Sequence, residues 1–214
     1  MNIPVGVSAR HVHVSQADLE TLFGQGATLH PKKELSQPGQ YAAEETVDLK
    51  GPRATIERVR ILGPVRPHTQ VEISKTDAVK LGVDPPVRES GHIEGSTGLL
   101  LIGPKGYLEL QEGVIVAARH VHFSEEDARK FGVHNGDELD LQAQGERGLI
   151  FNHVVARVSR SYRLDFHLDT DEANAAGLHN GDEVEVVEVH EEPRWQAPQS
   201  DREPVKSYSE HVGK

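Results

Sequence analysis

The chain has 214 residues, a formal net charge of −11 and no cysteine. That length allows one or two domains with a sizeable core, and the acidic balance speaks against nucleic acid as a partner. The absence of Cys excludes a disulfide framework, a thiolate metal site and a cysteine nucleophile. No apolar run approaches the roughly 20 residues of a spanning helix, and Met1–Arg10 lacks the pattern of a secretory signal. No membrane partner and a cytoplasmic location are therefore expected. Few aromatics, 20 glycines and 12 prolines suit short strands and tight turns.

The first element is an apolar strand around Val5 and Val7 that runs into Ala9-Arg10-His11-Val12-His13-Val14-Ser15. Ser15 with Asp18 three positions on has the form of a helix N-cap, and Gly24 suits the left-handed position that ends such a helix. Gly51-Pro52-Arg53 marks a turn, with Arg53 and Arg60 placed on the flanking strands. A second helix start follows at Glu72-Ile73-Ser74-Lys75-Thr76-Asp77 and stops at Gly82. Gly103-Pro104-Lys105 is another turn. The run Val114-Ile115-Val116 then leads into Ala118-Arg119-His120-Val121-His122-Phe123-Ser124, which matches the first string at six of seven positions. The third helix, from Ser124 and Asp127 to Gly132, leads into His134-Asn135-Gly136-Asp137 and an alternating strand over Glu138–Leu141. The fourth, begun at His167-Leu168-Asp169-Thr170-Asp171-Glu172 and ended at Gly177, leads into His179-Asn180-Gly181-Asp182 and a strand over Glu183–Val189. Asn-Gly in both turns is a hairpin signal. Residues 190–214 are polar and aperiodic, which predicts a disordered tail.

The repeat predicts a mainly β protein with short α-helices: two small β-barrel domains related by an internal repeat, each capped by short helices. The expected boundaries are 1–88 and 89–189, with 190–214 as the tail. Residues i and i+2 of a strand share a side, so His11 projects with His13 and His120 with His122. Each of the four helix starts follows a residue able to bind metal: His13, Glu72, His122 and His167. Two His-x-His pairs with Glu72 and His167 give six candidate ligands, enough for two ions with positions left open to substrate. Zinc fits this N/O set best, with Co, Mn or Fe as other occupants. A lone His-x-His is usually ordinary surface or core chemistry. Duplication alone, however, does not explain why the two divergent copies keep His and Glu at the ligand position. His30, His68, His92, His134, His153, His179, His190 and His211 carry no such pattern. Arg66, six residues before Glu72, is placed to meet a phosphate in bidentate fashion, with a surface ion pair as the equal alternative. No dinucleotide-binding, P-loop or nucleophile-elbow string occurs.

Several strings in order resemble the PduL-type phosphotransacylases, the phosphate propanoyltransferase family. They are Val7–His13, Gly63-Pro64-Val65-Arg66 with Thr69–Ser74, Pro86–Gly91, Glu112–Ile115 running into Ala118–His122, and Asp169–Asn174. The likeness spans about Ile3 to Val189. It implies two β-barrels with a two-zinc site between them, and reversible transfer of a short acyl group, propanoyl or acetyl, between coenzyme A and phosphate. It further implies that His11, His13 and Glu72 hold one zinc and His120, His122 and His167 the other. Arg66 would be the catalytic, phosphate-binding residue, and Val7, Ser8, Ala9, Arg53, Arg60 and Asn174 would contact coenzyme A. Family members that enter bacterial microcompartments carry an N-terminal amphipathic extension. The first motif here begins almost at Met1, which favours a freestanding cytoplasmic enzyme. The rival readings are another two-metal hydrolase, a cupin-like metalloenzyme, or a non-enzymatic binding barrel. Homo-oligomer formation is left open.

Overall fold

The structure, a computed structural model, describes residues 1–191. The elements run β1 (Asn2–Ser8), β2 (His11–His13), α1 (Gln16–Phe23), β3 (Pro31–Glu34), β4 (Tyr41–Lys50), β5 (Thr55–Gly63), β6 (Gln70–Glu72), α2 (Lys75–Leu81) and β7 (Val87–Arg88). They continue with β8 (Thr97–Ile102), β9 (Tyr107–Ala117), β10 (His120–Phe123), α3 (Glu125–Phe131), β11 (Glu138–Ala143), β12 (Leu149–Val158), β13 (Asp165–Asp169), α4 (Thr170–Ala176) and β14 (Glu183–His190). Among these residues no helix is long and apolar enough to cross a membrane.

All four predicted helices form, for the reason their sequence suggests. The hydroxyls of Ser15, Ser74 and Ser124 accept from the backbone N–H groups of Asp18, Asp77 and Asp127. Asp169 caps α4 in a full capping box with Glu172, which satisfies orphan donors at the helix start. Gly82, Gly132 and Gly177 end their helices in the left-handed conformation. Gly24 does not: its φ of 104° is paired with ψ of 159°.

Pairing closes two six-stranded barrels, each with two short helices. The first ring is β2-β6-β9-β8-β4-β5, with β3 added outside β4 and β7 beside β9. The second is β10-β13-β1-β14-β11-β12. The two rings match strand for strand in parallel and antiparallel order, so the internal repeat is a repeat of structure. One core gathers Leu19 and Leu22 of α1 and Ala78 and Leu81 of α2 with Val12, Leu49, Ile61 and Leu101. The other gathers Ala128 of α3 and Ala173 of α4 with Ile3, Val121, Phe123 and Phe166.

The expected division at residues 88 and 89 does not separate the sheets. β8 and β9 complete the first barrel, whereas β1 lies in the second, between β13 and β14. The chain therefore crosses from second barrel to first at Ala9-Arg10 and from first to second at Ala118-Arg119. These crossovers are the two copies of the repeated string. Each repeat unit lends its opening strand to the other barrel, and no local pattern announces that exchange.

The two Asn-Gly turns join helix to strand and are not hairpins. Gly136 and Gly181 take φ of 95° and 89°, as the tight turn demands. The Asn135 carbonyl oxygen accepts from Val158 N at 2.9 Å, and that of Asn180 from Val7 N at 2.7 Å. Each turn thus docks on a neighbouring strand. β14 runs through His190, the first residue of the expected tail; the remainder, from residue 192, lies outside the described residues.

Candidate metal centre

The crossovers bring both histidine pairs to the junction of the barrels. In register, His11 faces Glu72 and His13 faces Gln70 across β2 and β6. Likewise His120 faces His167 and His122 faces Asp165 across β10 and β13. Val12, Val14, Val121 and Phe123 point into the cores, so strand alternation turns the histidines outward to the facing barrel. Ligand atoms of His11, His13 and Glu72 lie within 4.8 Å of one another, as do those of His120, His122 and His167. All six residues line one cavity of about 900 Å³, together with Arg66.

The crossovers also set the tautomers. The carbonyls of Ala9 and Ala118 lie 2.9 and 2.8 Å from Nδ1 of His11 and His120. A carbonyl can only accept, so Nδ1 carries the proton and Nε2 is left with its lone pair for an ion. The arginine of each repeated string anchors its crossover. Arg10 pairs with Asp77 of α2 at 2.7 Å, and Arg119 with Glu172 of α4 at 2.6 Å.

Electrostatics suit metal ligation, which requires neutral imidazoles. Burial lowers His13 to about 3, helped by the charges of His11 and Arg66. Burial lowers His120 to about 4 and His122 to about 2, with neighbouring imidazoles adding to the effect. The rings of His120, His122 and His167 stand edge to face with centroids 4.7–5.4 Å apart. In the other trio burial opposes charge. Even so, Glu72 holds His11 above the ordinary histidine value and is itself held well below the carboxylate range by His11 and His13. His11 Nε2 lies 3.4 Å from Glu72 Oε2. Nδ1 of His13 and of His122 is buried with no hydrogen-bond partner, an expensive condition for a polar atom. Five converging imidazoles, three of them pushed toward the neutral form, with the Glu72 carboxylate and two orphaned buried nitrogens, fit a divalent ion in each trio.

Supporting residues that the sequence motifs do not single out fix these ligands. Gln70 Nε2 donates to Glu72 Oε1 at 2.6 Å, and Ser90 Oγ donates to the same oxygen at 2.8 Å. Arg66 Nη1 donates to Ser90 Oγ at 3.3 Å, tying the arginine to the Glu72 network. At the matching place in the second barrel, Asp165 Oδ2 lies 2.9 Å from His167 Nε2. Gln70 and Asp165 stand two residues before Glu72 and His167, so strand periodicity would have pointed to both. Gly6, opposite His167 in register, makes room for this pair. A Cβ there would meet both Asp165 carboxylate oxygens and His167 Cδ2 at 2.9 Å. Gly6→Ala is therefore expected to displace His167 and lower activity by about 10²-fold, measured as initial rate at fixed metal loading.

Of the residues expected at coenzyme A, Val7, Ser8, Ala9 and Arg60 line the cavity. Arg60 Nη1 donates to the Ala43 and Glu44 carbonyls. Arg53 and Asn174 are exposed and outside the cavity lining. Arg53 sits in the β4–β5 turn, not on a strand, and packs against Gly82. Asp140, Glu188 and His190 form a third grouping with metal-ligand spacing, and none of the three lines the cavity. Three ligands from each barrel also differ from the cupin-like arrangement, in which one barrel supplies the set.

The family model for phosphate propanoyltransferase matches residues 4–179. A phosphate propanoyltransferase of Thermotoga maritima is 57% identical over 169 residues, covering 78% of this chain and 80% of the relative. One from Salmonella typhimurium is 53% identical over 78% of this chain and 80% of its own length. One from Rhodopseudomonas palustris is 50% identical over 78% and 74%.

Proposed function

The chain belongs to the phosphate propanoyltransferase family of acyltransferases, and we propose that it interconverts a short acyl-CoA plus phosphate with acyl phosphate plus coenzyme A at a two-zinc centre in the cytoplasm. The observation that carries this reading is the meeting of two matched ligand trios, one per barrel, in a single cavity with Arg66.

His11, His13 and Glu72 would hold one ion, and His120, His122 and His167 the other. When bound, zinc supplies Lewis-acid charge for the phosphate and for the oxyanion developing on the thioester carbonyl. The residues do the positioning. Arg66 presents a planar fork that matches two phosphate oxygens and is steadied by Ser90. Val7, Ser8, Ala9 and Arg60 border the space for coenzyme A. A phosphate oxygen bonds to the carbonyl carbon as the C–S bond breaks, and the electron pair leaves on sulfur, which takes up a proton. With no cysteine in the chain, direct transfer between bound substrates is the simplest course, and proximity supplies much of the acceleration. Propanoyl and acetyl differ by one methylene, which a pocket separates by roughly 10–200-fold.

The test is thiol release by the purified protein from propanoyl-CoA and acetyl-CoA, with and without phosphate. It is repeated after metal stripping and after addition of zinc, cobalt, manganese or iron. Release that needs both phosphate and metal supports the transferase, and the rate ratio identifies the acyl group. Release without phosphate identifies a hydrolase and overturns the reading. Ser90→Ala removes one of the two side-chain amide or hydroxyl donors to Glu72 and is expected to weaken zinc at the His11–His13–Glu72 trio about 10–100-fold. Competition with a chromophoric chelator measures it.

A further inference from the structure

Arg157 of β12 stands in register with His122 of β10. Residues paired across neighbouring strands share a face of the sheet, so Arg157 emerges on the side of the imidazoles, and it lines the same cavity. It is half-buried. Three other arginines of this region are occupied, and Arg163, which also lines the cavity, is exposed. Arg10 and Arg119 are bound to carboxylates, and Arg60 to two carbonyls. Among the described residues Arg157 has no carboxylate, carbonyl or hydroxyl partner. The Arg66 side chain has, among the described residues, a single hydrogen-bond partner, the Ser90 hydroxyl.

These two cations feel each other: Arg66 is held below its ordinary value by burial first, against the opposing charge of Glu72, with the Arg157 charge adding to the lowering. Glu72 offsets part of this charge but is shared with His11, Gln70 and Ser90, so two half-buried cations lining one cavity still favour an anion that joins them. The internal repeat does not account for Arg157. β12 corresponds to β5, where His11 faces Arg60 and Val12 faces Ile61; continued by one residue, this register puts the neutral Leu62 opposite His13. The cation therefore belongs to one barrel only. Tyr162 adds a phenol to the same cavity, with its ring 4.4 Å from that of His122.

We propose that Arg157 is a second phosphate-holding residue, gripping the transferred phosphate from the second barrel while Arg66 grips it from the first. The inference rests on the phosphotransacylase reading and adds the residue that makes the anion site two-sided. Its position against His122, at the metal centre, selects the reacting phosphate over the phosphates of coenzyme A.

Steady-state kinetics of the zinc-loaded protein, with acyl-CoA and phosphate varied in turn, test it. Arg157→Gln should raise the KM for phosphate about 10–100-fold, the scale of a lost charge-assisted bidentate contact. The KM for acyl-CoA should stay within about twofold, and metal content should be unchanged. Arg157→Lys should recover part of the loss, because the charge returns without the fork. Calorimetric titration of inorganic phosphate into the zinc-loaded wild type and Arg157→Lys gives the same comparison without turnover, should Arg157→Gln fold poorly. An unchanged phosphate KM and affinity, or a rise confined to the acyl-CoA KM, overturns the proposal. Wild-type release of coenzyme A without a phosphate requirement would instead overturn the phosphotransacylase reading, and the phosphate titration would still decide whether Arg157 holds the anion.

Discussion

Alanine at position 122 should leave the protein with half of its metal and lower turnover by about 10³-fold or more. His122 is buried, held neutral at about 2 by burial and by its imidazole neighbours, and within ligand reach of His120 and His167. Removing one of three nitrogens leaves a pair that cannot hold an ion at catalytic concentrations. The Lewis acid lost with that ion is worth several kcal/mol in the transition state. The other trio sits on the first barrel and shares no ligand with it, so its ion should remain. Elemental analysis should read two ions per chain in the wild type and one in the variant. Two ions with normal activity would remove His122 from the centre. A melting curve taken alongside separates metal loss from unfolding.

Arg66→Ala should be nearly as damaging in rate and should leave both ions in place. Arg66 ligates nothing; it reaches the Glu72 network only through Ser90. Loss of its charge and fork should cut kcat/KM for phosphate about 10²–10³-fold, the scale of one deleted transition-state donor, while the KM for acyl-CoA changes little. Metal content equal to the wild type, paired with that loss, assigns the arginine to phosphate. Normal phosphate kinetics would sink the assignment. Lys at position 66 should restore only part of the rate, because a point charge cannot reproduce two parallel hydrogen bonds.

The candidate metal trios are legible in the order of residues because the relevant periods are short. A strand places i and i+2 together, so His11 with His13 and His120 with His122 follow from spacing alone. The helix caps at Ser15, Ser74, Ser124 and Asp169 are equally local, since the capping oxygen and its acceptor N–H groups are three or fewer residues apart. Beyond that local window the same signals lose their meaning. Asn135-Gly136 and Asn180-Gly181 carry the chemistry of a tight turn, but whether a strand or a helix precedes it depends on the elements being joined. Gly24 shares its residue type with the other helix-ending glycines and differs from them in backbone conformation, a difference that residue type does not announce.

Arg157 shows the limit most clearly. Nothing in Val154-Val155-Ala156-Arg157 marks a ligand, and its place beside His122 comes from a parallel pairing across more than thirty residues of chain. Arg53 and Asn174 show the same limit in reverse, since family position alone does not bring them to the cavity wall.

By itself the sequence determined the four capped helices, the alternation of the strands, the duplication and the chemistry of the six candidate ligands, because each is written in residue type and short spacing. Tertiary structure alone decided that β1 and β9 complete barrels in the pattern of an exchange. It also decided that the two repeated strings are the crossovers, and that a cation from β12 lines the same cavity as Arg66. The reason is physical: strand order depends on hydrogen bonds between segments far apart in the chain, and the register that brings distant side chains to one cavity is fixed only when both barrels close around their cores.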